Sequence, residues 1–269
     1  MIYTPTILTI AGSDNYGGAG LEIDRKSIHA LGGYALSATT ALTAQNSTGV
    51  KSTLATPTEY LSSQLEAILE DIEIDAVKIG MLANADIIEV VSKAIDKYSL
   101  KNIVLDTVLV SSSGRYLLEP SAVDTMISML FPRVNLITPN IPELDHLLGI
   151  EYDSSNPNTE IVYKALESWG TDAILIKGGH SGDTNLATDY LLESNGTIES
   201  FSANRVDTTH THGTGCLLSS AIATNLAIGY PLNKSISLAK IFLTNKLIDS
   251  SSLKLRYKEP KSGRREPIF

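Results

Sequence analysis

The feature that most constrains the fold of this 269-residue chain is a regular alternation of short apolar runs with longer amphipathic segments. Short apolar runs predict buried strands, and they occupy residues 6–12, 76–81, 102–110, 135–140 and 173–179. Helical patterns lie between or beside them, at residues 18–31, 57–72, 84–99 and 159–170. Strands that alternate with helices of this length form βαβ units. The sequence therefore predicts an α/β fold with a mostly parallel sheet and helices on both faces.

One segment departs from this parallel pattern. In residues 188–203, two short β-rich runs flank Ser194, Asn195 and Gly196. An Asn-Gly pair between two such runs is a strong hairpin signal. We therefore expect an antiparallel edge at this point of the sheet.

No linker, low-complexity tract or internal repeat divides the chain, so we expect a single domain over residues 1–269. From about residue 254 the sequence is basic, because positive side chains outnumber Glu259 and Glu266. The basic residues are Lys254, Arg256, Lys258, Lys261, Arg264 and Arg265. A charge run of this kind predicts a solvated tail.

Charge and cysteine content exclude several classes of function. The net charge of -9 argues against a nucleic-acid partner, which usually requires a basic surface. With one cysteine, Cys216, the chain cannot form an internal disulfide, and a reducing compartment is the simpler interpretation. The amino-terminal residues lack a basic region and a long apolar stretch, and the longest uncharged stretch, 212–233, is interrupted by polar residues. We expect a cytoplasmic protein with no membrane partner.

The carboxyl ends of the predicted strands are the first place to look for a binding site, since ligands of open α/β sheets bind there. The residues at these positions are glycines and polar side chains. They include Gly12, Gly80, Asp106, Thr138 and Lys177. This set favours a polar ligand.

Gly213, Thr214 and Gly215 precede a helix that we predict over residues 216–226. Backbone N–H groups at such a helix start bind phosphate, although an ordinary turn would have the same sequence. The same position lowers the pKa of a thiol, so Cys216 is either a reactive cysteine or a core residue. His210 and His212 lie nearby, but a zinc site is disfavoured because a fourth ligand and the usual spacing are missing.

The pair Asn140 and Glu143, and separately Asp24, each have both a functional and a structural interpretation. Asn140 and Glu143 lie three residues apart at a predicted helix start, where they would suit Mg²⁺ held through water and phosphate. They would equally suit an N-cap and its capping box. Asp24, in the first turns of the helix at 18–31, points toward the strand ends or simply favours the helix dipole.

Taken in order, these motifs resemble the hydroxymethylpyrimidine/phosphomethylpyrimidine kinases of thiamine biosynthesis. Residues 6–50 resemble the start of these kinases, and further matching motifs follow in the family's order. They are VKIGML at 77–82, VLDTVLV at 104–110, LITPNIPELDHLLG at 136–149, ILIKGGH at 174–180 and THGTGCLLSSAIATNLAIG at 211–229. The most specific are ALTAQN at 41–46 and THGTGC at 211–216. The family belongs to the ribokinase-like superfamily, whose fold is a three-layer α/β/α sandwich.

The resemblance implies transfer of a phosphoryl group from ATP, with Mg²⁺, to 4-amino-5-hydroxymethyl-2-methylpyrimidine and then to its monophosphate. It implies that Cys216 is the catalytic base and that Gly213, Thr214 and Gly215 hold the transferring phosphoryl oxygens. The implied pyrimidine site is Gly12, Ala19, Asp24, Gln45, Met81 and Val108. The implied ATP site is Lys177, Thr214 and Lys240, and the implied metal site is Asp106, Asn140 and Glu143. A homodimer is also implied.

Two other functions remain open from the sequence. Close relatives of these kinases phosphorylate pyridoxal or pyridoxine, and a non-catalytic pyrimidine or nucleotide sensor would retain similar binding residues. The chain also departs from the family at its end, where it reads SGRREPIF instead of a Gly-rich segment with Gly-Pro.

Overall fold

The computed structural model describes residues 3–111, 114–152, 159–180, 185–250, 252–259 and 263–269. Its strands, in chain order, are β1 Thr6–Asp14, β2 Tyr34–Asn46, β3 Gly49–Ala55, β4 Ala76–Ile79, β5 Ile103–Leu105, β6 Leu136–Ile137, β7 Ala173–Ile176, β8 Leu186–Glu193 and β9 Ile198–Asn204. Its α-helices are α1 Gly20–Ala30, α2 Thr58–Leu69, α3 Ala85–Tyr98, α4 Val123–Met129, α5 Ile141–Leu148, α6 Thr159–Trp169, α7 Thr214–Ile228 and α8 Leu232–Ser250.

The strands form one nine-stranded sheet in the order β3-β2-β1-β4-β5-β6-β7-β8-β9. All pairings from β2 to β7 are parallel, whereas β3, β8 and β9 are antiparallel to their neighbours. The predicted hairpin is confirmed, with Gly196 at φ 92° in the turn between β8 and β9. The β2–β3 hairpin was not predicted, because β3 has no buried residue and so lacks an apolar pattern.

Helices cover both faces of the sheet. On one face α2 to α6 pack over an apolar core that contains Leu61, Ile88 and Leu144. On the other face α1, α7 and α8 enclose a second core that contains Ile28 and Ala221. This is the three-layer α/β/α arrangement that the family resemblance implied.

The predicted strand at 102–110 is much shorter in the structure, since β5 ends at Leu105. Beyond it, the N–H of Val108 donates to the carbonyl of Asp106, which turns the chain out of the sheet. Asp106 is thereby placed at the carboxyl edge, where its carboxylate accepts a hydrogen bond from Lys177. In the described ranges, no helix is long and apolar enough to cross a membrane.

Candidate active site

A cavity of about 1220 Å³ opens at the carboxyl ends of the parallel strands. It is lined by every residue that the sequence assigned to a site except Asp24. Residues that are far apart in the chain, such as Gly12, Asp106 and Cys216, therefore share one cavity. Their individual roles remain predictions, but their convergence follows directly from the strand order.

Gly213 and Gly215 shape the centre of this cavity. Gly213 is the N-cap of α7 with φ 91°, and a Cβ there would lie 2.0 Å from the carbonyl oxygen of Gly18. A Cβ on Gly215 would lie 3.3 Å from Asp106 Oδ2 and 3.5 Å from Lys177 Nζ. The turn therefore brings the first N–H groups of α7, which lack intrahelical acceptors, against the charged floor of the cavity.

Cys216 lies in the first turn of α7, which begins at Thr214, two residues before the predicted start at residue 216. Its side chain is half-buried and belongs to the cavity wall, although it also contacts a small apolar cluster. Burial raises the pKa of the Cys216 thiol to about 11, against the opposing effects of the Lys78 ammonium and a hydrogen bond from the Gly20 N–H. The expectation of a lowered thiol pKa is therefore wrong for the free protein, because desolvation outweighs the helix terminus.

Asp24 requires a correction, since the structure places it beneath the cavity and not on its wall. Its side chain is fully buried, and it accepts hydrogen bonds from Thr9, Lys78 and Ser220. A carboxylate with three internal donors and no exposed surface does not contact the substrate in this conformation. It holds Lys78 in place instead.

Lys78 is a residue that the sequence reasoning missed. It is fully buried in β4, yet its side chain reaches the cavity floor. Burial by itself would lower the pKa of this lysine, but the Asp24 carboxylate, through its charge and its hydrogen bond, acts together with the charges of Cys216 and Asp106 to raise it. A lysine inside the otherwise apolar run 76–81 was the signal that could have revealed it.

Asp106, Lys177 and Glu143 form a second charged group. Lys177 Nζ lies 2.7 Å from Asp106 Oδ1 and 3.9 Å from Glu143 Oε2. Burial opposes ionisation of Asp106, but the ammonium groups of Lys177 and Lys78 lower the pKa of Asp106 below its usual value. Burial raises the pKa of Glu143 to about 7, although Lys177 works against the shift. Two carboxyl groups and one ammonium group therefore lie close together at the strand ends.

Asn140 and Glu143 form the capping box that was the alternative interpretation of their spacing. Asn140 Oδ1 accepts from the Glu143 N–H at 2.9 Å, and Glu143 Oε2 accepts from the Asn140 N–H at 2.9 Å. Thr107 also donates to Glu143 Oε2. Both residues still line the cavity, so capping orients their side chains without removing them from it.

At the β1–β2 end, the cavity is lined by the predicted pyrimidine residues. Met81 packs against Gly12, where a Cβ would lie 2.9 Å from the Met81 sulfur. Gln45 is half-buried, and its backbone N–H donates to Asn15. Ala19 and, from the loop after β5, Val108 also line the cavity on this side.

Asp14 and His212 were not predicted as site residues, although Asp14 ends β1. His212 Nε2 lies 3.0 Å from Asp14 Oδ2. Burial by itself would raise the pKa of Asp14. Hydrogen bonds from His212 and from backbone N–H groups outweigh this effect, so the pKa lies below its usual value. The pair joins the loop after β1 to the loop before α7, and so joins two walls of the cavity.

At the opposite end, Lys240 from α8 lies with its Nζ 2.7 Å from Asp189 Oδ2. Asp189 Oδ1 accepts from the Gly178 N–H at 2.9 Å. Lys240 therefore lines the cavity beside β7 and β8, on the same side as Lys177. Asp189 had no signal in the sequence beyond a polar residue in a predicted edge strand.

Comparison with known proteins decides between the families that such a cavity could serve. Residues 14–260 match the phosphomethylpyrimidine kinase family. The chain belongs to this family. It is 41% identical over 248 residues to a hydroxymethylpyrimidine/phosphomethylpyrimidine kinase of Salmonella typhimurium, with 92% of each chain covered.

Solved structures of similar kinases have the same fold. A phosphomethylpyrimidine kinase from Clostridium difficile is 38% identical with a TM-score of 0.76, covering 90% of this chain and 99% of that one. A pyridoxal kinase from Bacillus subtilis, solved as an ADP complex, is 34% identical with a TM-score of 0.81, covering 90% of this chain and 91% of that one. The ribokinase-like fold of this family member is thus established.

Proposed function

We propose that this family member transfers the γ-phosphoryl group of ATP to the hydroxymethyl oxygen of 4-amino-5-hydroxymethyl-2-methylpyrimidine, and then a second phosphoryl group to the resulting monophosphate. The observation that carries this proposal is the position of the Gly213–Gly215 turn and Cys216. They lie between the loops that would bind the acceptor and the Lys177 side of the cavity, which would bind the nucleotide. The family and the 41% identical relative are named for kinases of this pyrimidine and its monophosphate, which supports the same reaction.

In the proposed first step, Cys216 as thiolate accepts the proton of the substrate hydroxyl. The hydroxyl oxygen forms a bond to the γ-phosphorus, the bond from that phosphorus to the β–γ bridging oxygen breaks, and ADP leaves. The N–H groups at residues 213–215 hold the transferring oxygens, so positioning and charge neutralisation supply most of the acceleration. Lys78 is the positive group that favours the thiolate.

The proposed acceptor site is Gly12, Ala19, Gln45, Met81 and Val108. The amide of Gln45 offers both a donor and an acceptor to an aminopyrimidine edge, and Met81 offers an apolar surface to the ring. In this proposal Asp24 acts indirectly, since its carboxylate fixes Lys78 below the floor of the site. Lys177, Thr214 and Lys240 line the cavity where the nucleotide phosphates would lie.

The donors at the strand ends fit Mg²⁺. Asp106 and Glu143 present carboxylate oxygens on either side of Lys177, and hard oxygen ligands suit this ion when phosphates and water complete its shell. Asn140 Oδ1 is already an acceptor in the capping box, so we propose that Asn140 acts mainly by orienting Glu143. When bound, the ion would supply charge neutralisation of the nucleotide phosphates.

Pyridoxal kinase is the second candidate, because the Bacillus subtilis pyridoxal kinase shares this fold at 34% identity. The pyrimidine is preferred because the family match and the 41% identical relative are both named for it. Initial rates with the two acceptors at equal subsaturating concentrations distinguish these candidates. Higher kcat/KM for pyridoxal would reverse the order, and binding without any product would favour the sensor.

We also propose a homodimer formed through the β2–β3 hairpin. Leu42 and Leu54 face each other across this hairpin and are 54% and 67% exposed. Together they offer exposed apolar surface beside a sheet edge to a second copy of the chain. Light scattering should give twice the 28.9 kDa chain mass, and Leu54→Lys should lower it. A wild-type monomer would refute the proposal.

A further inference from the structure

The last seven residues, 263–269, fold back onto the cavity, and we call them the C-terminal strap. Ile268 is 2% exposed and packs with Ile23 and Leu217 in a separate apolar cluster. Phe269 lies beside Phe242, with ring centroids 6.4 Å apart. The prediction of a solvated tail is therefore wrong for these residues, because two apolar side chains anchor them.

Backbone hydrogen bonds attach the strap to two loops of the cavity. The Arg265 N–H donates to the Ser47 carbonyl at 3.0 Å, just beyond β2. The Glu266 carbonyl accepts from the N–H of His212 at 3.2 Å, and the Glu266 N–H donates to Thr209 at 3.4 Å. The strap thus connects the end of β2 to the loop that leads into the Gly213–Gly215 turn.

Side chains attach the strap to the loop after β1. The Tyr257 hydroxyl lies 2.6 Å from the Tyr16 hydroxyl and also bonds to Glu266. The Arg264 guanidinium stacks on the Tyr257 ring at 3.7 Å, which fixes its plane. Since segments 14–20 and 45–47 carry two of the proposed acceptor residues, Ala19 and Gln45, the strap lies on the acceptor side of the cavity.

The strap adds two guanidinium groups to the cavity wall, from Arg264 and Arg265. The cavity lysines Lys78, Lys177 and Lys240 are each paired with a carboxylate. Across the described ranges, neither arginine of the strap forms an ion pair with a carboxylate. In a chain with a net charge of -9, two such groups on one cavity wall offer charge to an anion from outside.

We propose that Arg264 and Arg265 bind the phosphate of the phosphorylated acceptor, and that the strap thereby favours the second phosphorylation. This inference rests on the proposed function, because it assigns a site to its second substrate. A guanidinium presents paired N–H donors that match a phosphomonoester, and such charge-assisted bonds are about twice as strong as neutral ones. The uncharged alcohol lacks a phosphate and so offers no anion to these guanidinium groups.

The test is the double variant Arg264→Gln/Arg265→Gln, compared with wild type and with Arg256→Gln. Arg256 is an exposed basic residue of the same tail and does not line the cavity. KM values are measured for the alcohol and for the monophosphate, and the Kd of the monophosphate is measured by calorimetry without ATP. For the double variant we expect KM and Kd of the monophosphate to rise roughly tenfold or more. This rise should be at least five times larger than any change in KM of the alcohol. The control Arg256→Gln should leave both KM values and the Kd of the monophosphate unchanged.

A proportional rise for both acceptors would reduce the arginines to a structural role and overturn the inference, as would an unchanged monophosphate Kd. Failure of the proposed function has a different signature, because wild type would then phosphorylate neither acceptor. The calorimetric Kd remains measurable in that case, so the two failures are distinguishable.

Discussion

Lys78 Nζ lies 2.9 Å from Asp24 Oδ2, and neither side chain has any exposed surface. Asp24 accepts further hydrogen bonds from Thr9 and Ser220, so its carboxylate is fully engaged inside the protein. Lys78 in turn lies at the floor of the cavity and lowers the pKa of Cys216 against the larger effect of burial. This one buried carboxylate therefore connects α1 to β1, β4 and α7. Through Lys78 the same ion pair also affects the pKa of the proposed base.

Replacing Lys78 by Met should destabilise the protein by roughly 3–5 kcal/mol, since Asp24 would keep a buried charge without its partner. The double variant Lys78→Met/Asp24→Leu should recover much of this loss, because no unpaired charge remains. Urea unfolding at pH 7 measures both changes. A loss below about 1 kcal/mol in the single variant would show that the pair is not buried as described.

The reactivity of Cys216 should depend steeply on pH. Because burial raises its thiol pKa to about 11, the thiolate is a minor species at neutral pH and increases about tenfold for each pH unit up to that value. Alkylation by iodoacetamide should therefore accelerate steadily between pH 7 and 9.5. Cys216 is the single cysteine of the chain, so Cys216→Ala is a clean blank. A plateau below pH 9 would contradict the raised pKa.

Loss of the proposed base should affect the chemical step and not binding. We expect Cys216→Ala and Cys216→Ser to lower kcat by about 10²-fold or more, as removal of a general base does. The Kd of the pyrimidine should stay close to the wild-type value, because the thiol contributes little to ring binding. Single-turnover kinetics and calorimetry measure the two quantities. A kcat near that of wild type would exclude the assigned role.

Gly213 and Gly215 should respond differently to alanine. Gly213→Ala introduces a Cβ 2.0 Å from the Gly18 oxygen at φ 91°, so we expect a stability loss of at least about 2 kcal/mol. Gly215→Ala lies in the helix and should stay within about 1 kcal/mol of wild type. Its methyl group would fill space beside Asp106 and Lys177, so kcat should still fall at least about tenfold. Thermal unfolding and steady-state rates separate the two effects, and normal turnover of Gly215→Ala would contradict the phosphate position.

Patterns within short segments predicted much of the fold. The apolar runs that become β1, β4, β6 and β7, and the Asn-Gly turn before β9, all carry local signals. The hairpin strand β3 carries none, because its side chains are largely outside the core. The burial of Ile268 could not be predicted from the sequence either, because two apolar residues after a basic run have no periodicity.

The position of candidate site residues at the cavity was predictable where they lie at a strand end or helix start, as for Asp106, Lys177 and the Gly213–Gly215 turn. The partners of these residues were not, because ion pairs such as that between Lys78 and Asp24 join positions that only the folded sheet brings together. The Cys216 pKa was predicted with the wrong sign for a related reason. The helix-start rule is local, whereas desolvation depends on everything packed around the thiol.

The most direct test of the central claim is a product assay that incubates the protein with the free hydroxymethyl pyrimidine and Mg-ATP and counts phosphoryl groups by mass spectrometry. The proposed function predicts a monophosphate that appears first and a pyrophosphate that follows, with both nearly absent in Cys216→Ala. A wild-type protein that leaves the pyrimidine unmodified while it phosphorylates pyridoxal would contradict the claim.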